Sequence, residues 1–131
     1  MLRVSSCVAD ASAVLAALLR EPGGDVAARL MGEDAVVSTV NLAEIVTRLQ
    51  REGWPEDAIE TVLSRATFDV EVFSETQAVD TGLLRAFTSH LGLSLGDRAC
   101  LALARELRLP VLTADKAQAS ADVGVEITLV R

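Results

Sequence analysis

Hydrophobic residues along this chain fall into two alternating patterns, short continuous runs and longer stretches in which they recur every third or fourth position. The runs "VSSCVAD", "AVVS", "DVEVFS", "PVLTAD" and "VEITLV" have the length and β-branched content of strands. Between them, "ASAVLAALLR" reads as a helix stopped by the breaker "EPGG", and "DVAARLMG" as a second. In "NLAEIVTRLQREG", Leu42, Ile45, Val46 and Leu49 keep helical spacing until Gly53. "WPEDAIETVLSRA" restarts a helix with Pro55 in its first turn and acids just after it, where the helix dipole favours them. Residues 75–91 and "LGDRACLALARELRL" complete the helical set. Strands alternating with helices predict an α/β fold with a mostly parallel sheet, and the absence of repeats or linkers predicts one domain over residues 1–131.

That reading locates the acidic side chains. Parallel strands end on a common edge, and ligands of open α/β sheets bind there. Asp10 and Asp115 end predicted strands. Glu44 follows "VVS" by a few residues, and the helix containing Asp97 must start at the same edge in order to feed the next strand. Topology therefore brings Asp10, Glu44, Asp97 and Asp115 together.

Each acid also has a plainer explanation. Asp10 suits a helix N-cap, Asp97 a first-turn dipole partner and Asp115 a turn. Asp97 does border the apolar stripe of Cys100, Leu103, Ala104 and Leu107, where a carboxylate needs a partner. Glu44 falls on the polar side of its helical wheel, four residues before Arg48, as a surface salt-bridge former would. Convergence favours the joint reading. Two ionised carboxylates about 4 Å apart repel by roughly 4 kcal/mol at an effective dielectric near 20, so such a group calls for a cation or shifted protonation. Oxygen donors without His or Cys suit Mg²⁺ or Mn²⁺ rather than zinc, and such ions hydrolyse phosphodiesters by activating water and neutralising phosphoryl oxygens.

Composition narrows the picture further. With 131 residues, 50% hydrophobic but only 3% aromatic, the core must be filled by small aliphatic side chains. A net charge of −7 excludes a generic polyanion binder, leaving local or metal-mediated contact with nucleic acid. Cys7 and Cys100 lack metal-ligand spacing and read as buried thiols, and His90 as a surface or capping residue. Arg3 hints at a basic leader, but Asp10 interrupts the apolar run and Ala13 to Leu19 is too short to span a bilayer, so the expected compartment is the cytoplasm.

Taken together, "VADASAVLAALLREPG", "VVSTVNLAEIVTRLQREG", "LSLGDRACLALA" and "PVLTAD" resemble, in order and spacing, the VapC-type toxins of the PIN-domain family. The resemblance implies a five-stranded sheet flanked by helices and an endoribonuclease acting on structured RNA, often transfer RNA. It also implies an antitoxin protein partner and a homodimer. By position it makes Asp10, Glu44, Asp97 and Asp115 the metal-holding acids, with Ser12 and Thr113 as hydroxyls orienting a carboxylate or bound water. Ser12 also fits a helix cap and Thr113 an ordinary strand position; Asn41 either caps its helix, the first expectation, or orients Glu44. Arg98 and Lys116, each beside an acid, are candidates for gripping the RNA backbone. The chain departs from the family after Asp115, where no further acid occurs before Asp122, which argues against a firmly held second ion. The apolar stripes of the helices ending near Arg20 and Arg51 are candidate dimer or antitoxin surfaces. Two alternatives remain: a catalytically silent PIN-like interaction module, and a phosphoacceptor receiver domain.

Overall fold

The computed structural model describes residues 4–131, so the basic position at Arg3 lies outside the described residues. Strands β1 (Cys7–Ala9), β2 (Ala35–Ser38), β3 (Asp69–Glu71), β4 (Val111–Thr113) and β5 (Ile127–Leu129) form one sheet in the order β3-β2-β1-β4-β5. Every pairing in it is parallel. The helices are α1 (Ala11–Leu19), α2 (Gly24–Met31), α3 (Thr39–Arg51), α4 (Glu56–Ser64), α5 (Glu75–Leu83), α6 (Arg85–Thr88), α7 (Leu95–Leu107) and α8 (Lys116–Ala119).

The central strands are buried along their length and apolar except at the carboxyl ends of β2 and β4, because both of their faces are covered. Cys7, Ala9, Ala35, Val37 and Leu112 point to one side, where Val14 and Leu15 of α1, Met31 of α2 and Ile45 and Leu49 of α3 pack on them. Val8, Val36 and Val111 point to the other, against Cys100, Leu101, Leu103 and Ala104 of α7. Small side chains allow close approach: a β-carbon at Gly24 would overlap the Ala16 carbonyl, so α2 crosses α1 only with glycine there.

From β1 the chain winds outward through β2 to β3, then returns across the sheet by α5 to α7 and inserts β4 on the other side of β1. Strand order therefore reverses between β1 and β4, and the crevice at their carboxyl ends is where such sheets bind ligands. Among the described residues no helix is long and apolar enough to cross a membrane.

Several details depart from the expectations. β3 stops at Glu71 and is exposed along its length, with charged residues at its ends that discourage further pairing. Pro55 stands just before α4, at its N-cap, rather than in its first turn. Residues 75–91 break into α5, α6 and a 3-10 turn at Ser89–Leu91 that carries the exposed His90. The stripe on α1 and much of that on α3 lie in the core or against it. Among the described residues, large apolar side chains left exposed include Val79, Leu83 and Phe87, on α5 and α6, together with Val4, Val72 and Leu95.

Candidate active site

Asp10 follows directly on β1, its N–H donating to the Leu112 carbonyl (2.9 Å) and so extending the ladder with β4. It occupies the N-cap position of α1, yet its side chain makes no capping bond. The carboxylate turns into the switch-point crevice, where Oδ2 accepts from Ser12 Oγ (2.6 Å) and Thr113 Oγ1 (3.2 Å). Only 3% of Asp10 is exposed. Burial pushes its carboxyl up to about 7; the Ser12 hydroxyl opposes the rise, the negative charges of Asp97 and Glu44 add to it, and the Thr113 hydroxyl again opposes it.

Glu44 reaches the same crevice from the second turn of α3. Ser38, and not Asn41, caps that helix, accepting from the Val40 N–H (3.2 Å). Asn41, fully buried, donates one amide hydrogen to Glu44 Oε1 (2.7 Å) and the other to the Gly96 carbonyl (3.0 Å). Its Oδ1 is left without a partner. The Glu44 carboxyl is raised by burial, lowered by the Asn41 bond and raised again by the charge of Asp97. The expected Glu44–Arg48 surface pair does not form: Arg48 bonds Glu52 (2.8 Å) and Glu21 (2.9 Å). Gly96 is the missing complement. A β-carbon at that position would overlap the Glu44 carboxylate, so the glycine provides the space the acid occupies.

Asp97 and Asp115 each combine local capping with a place on the crevice. Asp97 Oδ2 accepts from the Ser94 N–H (2.9 Å) while Ser94 Oγ accepts from the Asp97 N–H (3.2 Å), a complete capping box for α7. Asp115 caps α8, a helix absent from the sequence reading, through Oδ1 and the Ala117 N–H (2.9 Å). Thr113 joins the acids: its Oγ1 lies against Asp10 Oδ2, Ser12 Oγ (3.1 Å) and Gln118 Oε1 (3.0 Å), and accepts from the Asp115 N–H (3.0 Å). Ser12 Oγ in turn accepts from the Ala114 N–H (2.9 Å), pinning α1 to the end of β4.

All four acids line one cleft of about 680 Å³, together with Ser12, Ser94, Gly96, Arg48 and Arg51. A larger groove of about 860 Å³ runs between α5 and α7. Its acids are Glu75, Asp80 and Glu106, of which Asp80 is paired with Arg105 and Glu106 accepts from Gln77. Among the described residues no three acids, histidines or cysteines stand close enough to hold a metal ion between them as they are. The fit to a divalent cation is one of donor chemistry: all-oxygen ligands, and two carboxyls whose affinity for protons is raised partly by neighbouring negative charge.

The two expected cationic contacts fare differently. Arg98 turns away from the cleft, because its Nη1 donates to the Thr81 carbonyl (2.9 Å) of α5 and its Nε is buried without a partner. Lys116 is exposed at the start of α8. The cations on the cleft wall are Arg48 and Arg51, spaced one turn apart on α3, which sequence reasoning did not select. Both cysteines are buried and free, and burial pushes the Cys100 thiol well up.

Residues 7–124 match the family model of the PIN domain, and the chain belongs to the PIN-domain family. Its fold is that of VapC-like toxins. It resembles the DNA-bound VapBC of Salmonella typhimurium (TM-score 0.76, 17% identity, covering 98% of this chain and 100% of that one). It also resembles a toxin-antitoxin complex of Klebsiella pneumoniae (TM-score 0.74, 17% identity, 96% and 98% covered). A third similar structure is Mycobacterium tuberculosis VapC20, a toxin that cleaves the sarcin-ricin loop (TM-score 0.69, 20% identity, 92% and 99% covered). A comparison with curated protein sequences finds no match. The receiver alternative fails on topology: doubly wound sheets of that type place β3 beside β1, whereas here β2 separates them.

Proposed function

We propose that residues 1–131 form a single PIN domain acting as a metal-dependent endoribonuclease, the toxin of a toxin-antitoxin pair, in the cytoplasm. The observation that carries this reading is the convergence of Asp10, Glu44, Asp97 and Asp115, from four separate points of the chain, on one cleft at the reversal of strand order. Asp10 and Glu44 gain nothing for helix capping from their carboxylates, which leaves those oxygens to the cleft.

In this reading the four acids hold Mg²⁺ or Mn²⁺, which when bound supplies positive charge to the phosphodiester oxygens and activates the attacking water. The chain's own residues do the positioning. Ser12 and Thr113 fix Asp10 Oδ2 by their hydroxyls, Asn41 fixes Glu44, and the Ser94 N–H fixes one oxygen of Asp97. The products are a 5′-phosphate and a 3′-hydroxyl, with no covalent enzyme intermediate. Lys116, exposed beside Asp115, serves the RNA backbone. An antitoxin partner and a homodimer complete the proposal; the toxin-antitoxin assemblies among similar folds support the former.

Asp97→Asn is the informative variant, since asparagine keeps an oxygen for the Ser94 N–H and so preserves the start of α7. Expressed in a heterologous bacterium, the native chain is expected to arrest growth and generate new RNA 5′ ends, and the variant to do neither. Equal toxicity from the two forms, or cleavage by purified protein that persists in a chelator, would overturn the proposal.

A further inference from the structure

Gln118 is fully buried on a helix of only four residues, and both ends of its amide are engaged. Nε2 donates to the Asp97 carbonyl (3.1 Å), and Oε1 accepts from Thr113 Oγ1 (3.0 Å). So short a helix does not hold its shape alone. It is held by Asp115 capping one end and by Gln118 reaching inward from its third residue. Thr113 has one hydroxyl proton. Its oxygen accepts from the Asp115 N–H, while Gln118 Oε1 and Asp10 Oδ2 both lie within reach of that proton. One side chain therefore spans the backbone of Asp97 and the hydroxyl on which the Asp115 backbone rests. Helices α7 and α8 and strand β4 are joined through it.

We infer that Gln118 is a positioning residue, setting the separation of the Asp97 and Asp115 carboxylates through the Asp97 carbonyl on one side and the Thr113 hydroxyl on the other. This rests on the proposal that those acids hold a divalent ion. Buried groups that orient ligating carboxylates typically change metal affinity about 10- to 100-fold when removed.

The test substitutes Gln118→Met, which keeps the volume and removes both bonds, and Thr113→Val, which removes the shared hydroxyl. Calorimetric titration with Mn²⁺ is expected to show a loss of affinity of about 10- to 100-fold for Gln118→Met. The double variant is expected to lose no more than the worse single one, since the two act through one network. Leu84→Val, in the core beside α7, lowers stability and should bind Mn²⁺ as the native chain does. Hydrogen exchange at the amides of Asp115 and Ala117 should accelerate in Gln118→Met. Native Mn²⁺ affinity in Gln118→Met, or losses that simply add, overturns the inference. If the native chain binds no Mn²⁺ and cuts no RNA, the ribonuclease proposal fails separately. The positioning role is then decided by exchange alone, faster exchange supporting it and unchanged exchange refuting it. Should Gln118→Met not fold, Gln118→Asn, one methylene too short to reach both partners, carries the same expectations.

Discussion

Replacing Gly96 with alanine exchanges a hydrogen for a methyl group at a point where the structure has no room for it. Gly96 lies in the first turn of α7, and the new methyl group would occupy the volume of the Glu44 carboxylate. Two effects on stability oppose each other. Alanine favours the helix over glycine by up to about 1 kcal/mol. Displacing Glu44 breaks its bond from Asn41, a hydrogen bond to a charged group worth about 1.5–3 kcal/mol, and strands a buried amide hydrogen. The net loss is about 0.5–2 kcal/mol, or a few degrees of melting temperature. The catalytic effect should be much larger, because misplacing a reacting group by about 1 Å costs on the order of 100-fold in rate. Gly96→Ala is thus expected to be a folded protein, melting within a few degrees of the native chain, whose RNA cleavage falls about 100-fold. Single-turnover cleavage of a fixed RNA, alongside thermal melting, measures both. Cleavage within threefold of native would refute the steric argument, and collapse of the fold would show that Gly96 serves packing and not the acid.

Two other expectations follow from the same geometry. The Asp10 carboxyl, raised to about 7 mainly by burial, keeps its proton in the folded chain across a range where the unfolded chain has lost it, so its contribution to stability is complete below about pH 4 and declines as pH rises towards 7. Asp10→Asn should remove that decline and, in metal-free buffer, make the protein more stable than native at pH 8 by up to about 4 kcal/mol, with the gap closing near pH 4; denaturant melts showing equal stability at both pH values would contradict it. Arg98→Met should lower the melting temperature by removing the bond to the Thr81 carbonyl, and leave the KM for RNA within about twofold, whereas a several-fold rise in KM without loss of stability would return Arg98 to the substrate.

The residues differ in how far sequence could place them, and the reasons are physical. Asp10 and Asp115 were legible because a continuous apolar run ending in an acid marks a strand's carboxyl edge, and strand direction is a property of the whole sheet. Glu44 was legible from topology but not from periodicity. The buried face of α3 is centred on Asn41, Ile45 and Leu49, and a buried asparagine is invisible to a wheel drawn on apolar residues alone. Arg98 misled because adjacency in sequence places consecutive helical side chains about 100° apart, here towards α5. Gly96 and Gln118 act through a missing atom and a link across 21 residues to the Asp97 carbonyl, and neither leaves a local pattern. Helix α8 is too short to show a period at all.

The insertion of β4 beside β1 also gives the cleft a history in time. Asp10, and β1 to β3 with their helices, precede β4 in the chain. The Thr113 hydroxyl that holds Asp10, and Asp115 opposite it, are added more than a hundred positions later. Chains fold from the N-terminus as they are synthesised, so a half-made copy carries Asp10 and Glu44 without the strand that closes the site. The cleft is therefore complete only once β4 and the Asp115 that follows it have been made. An interrupted chain that stops before β4 lacks Asp115 and the strand beside β1, and so has no complete cleft.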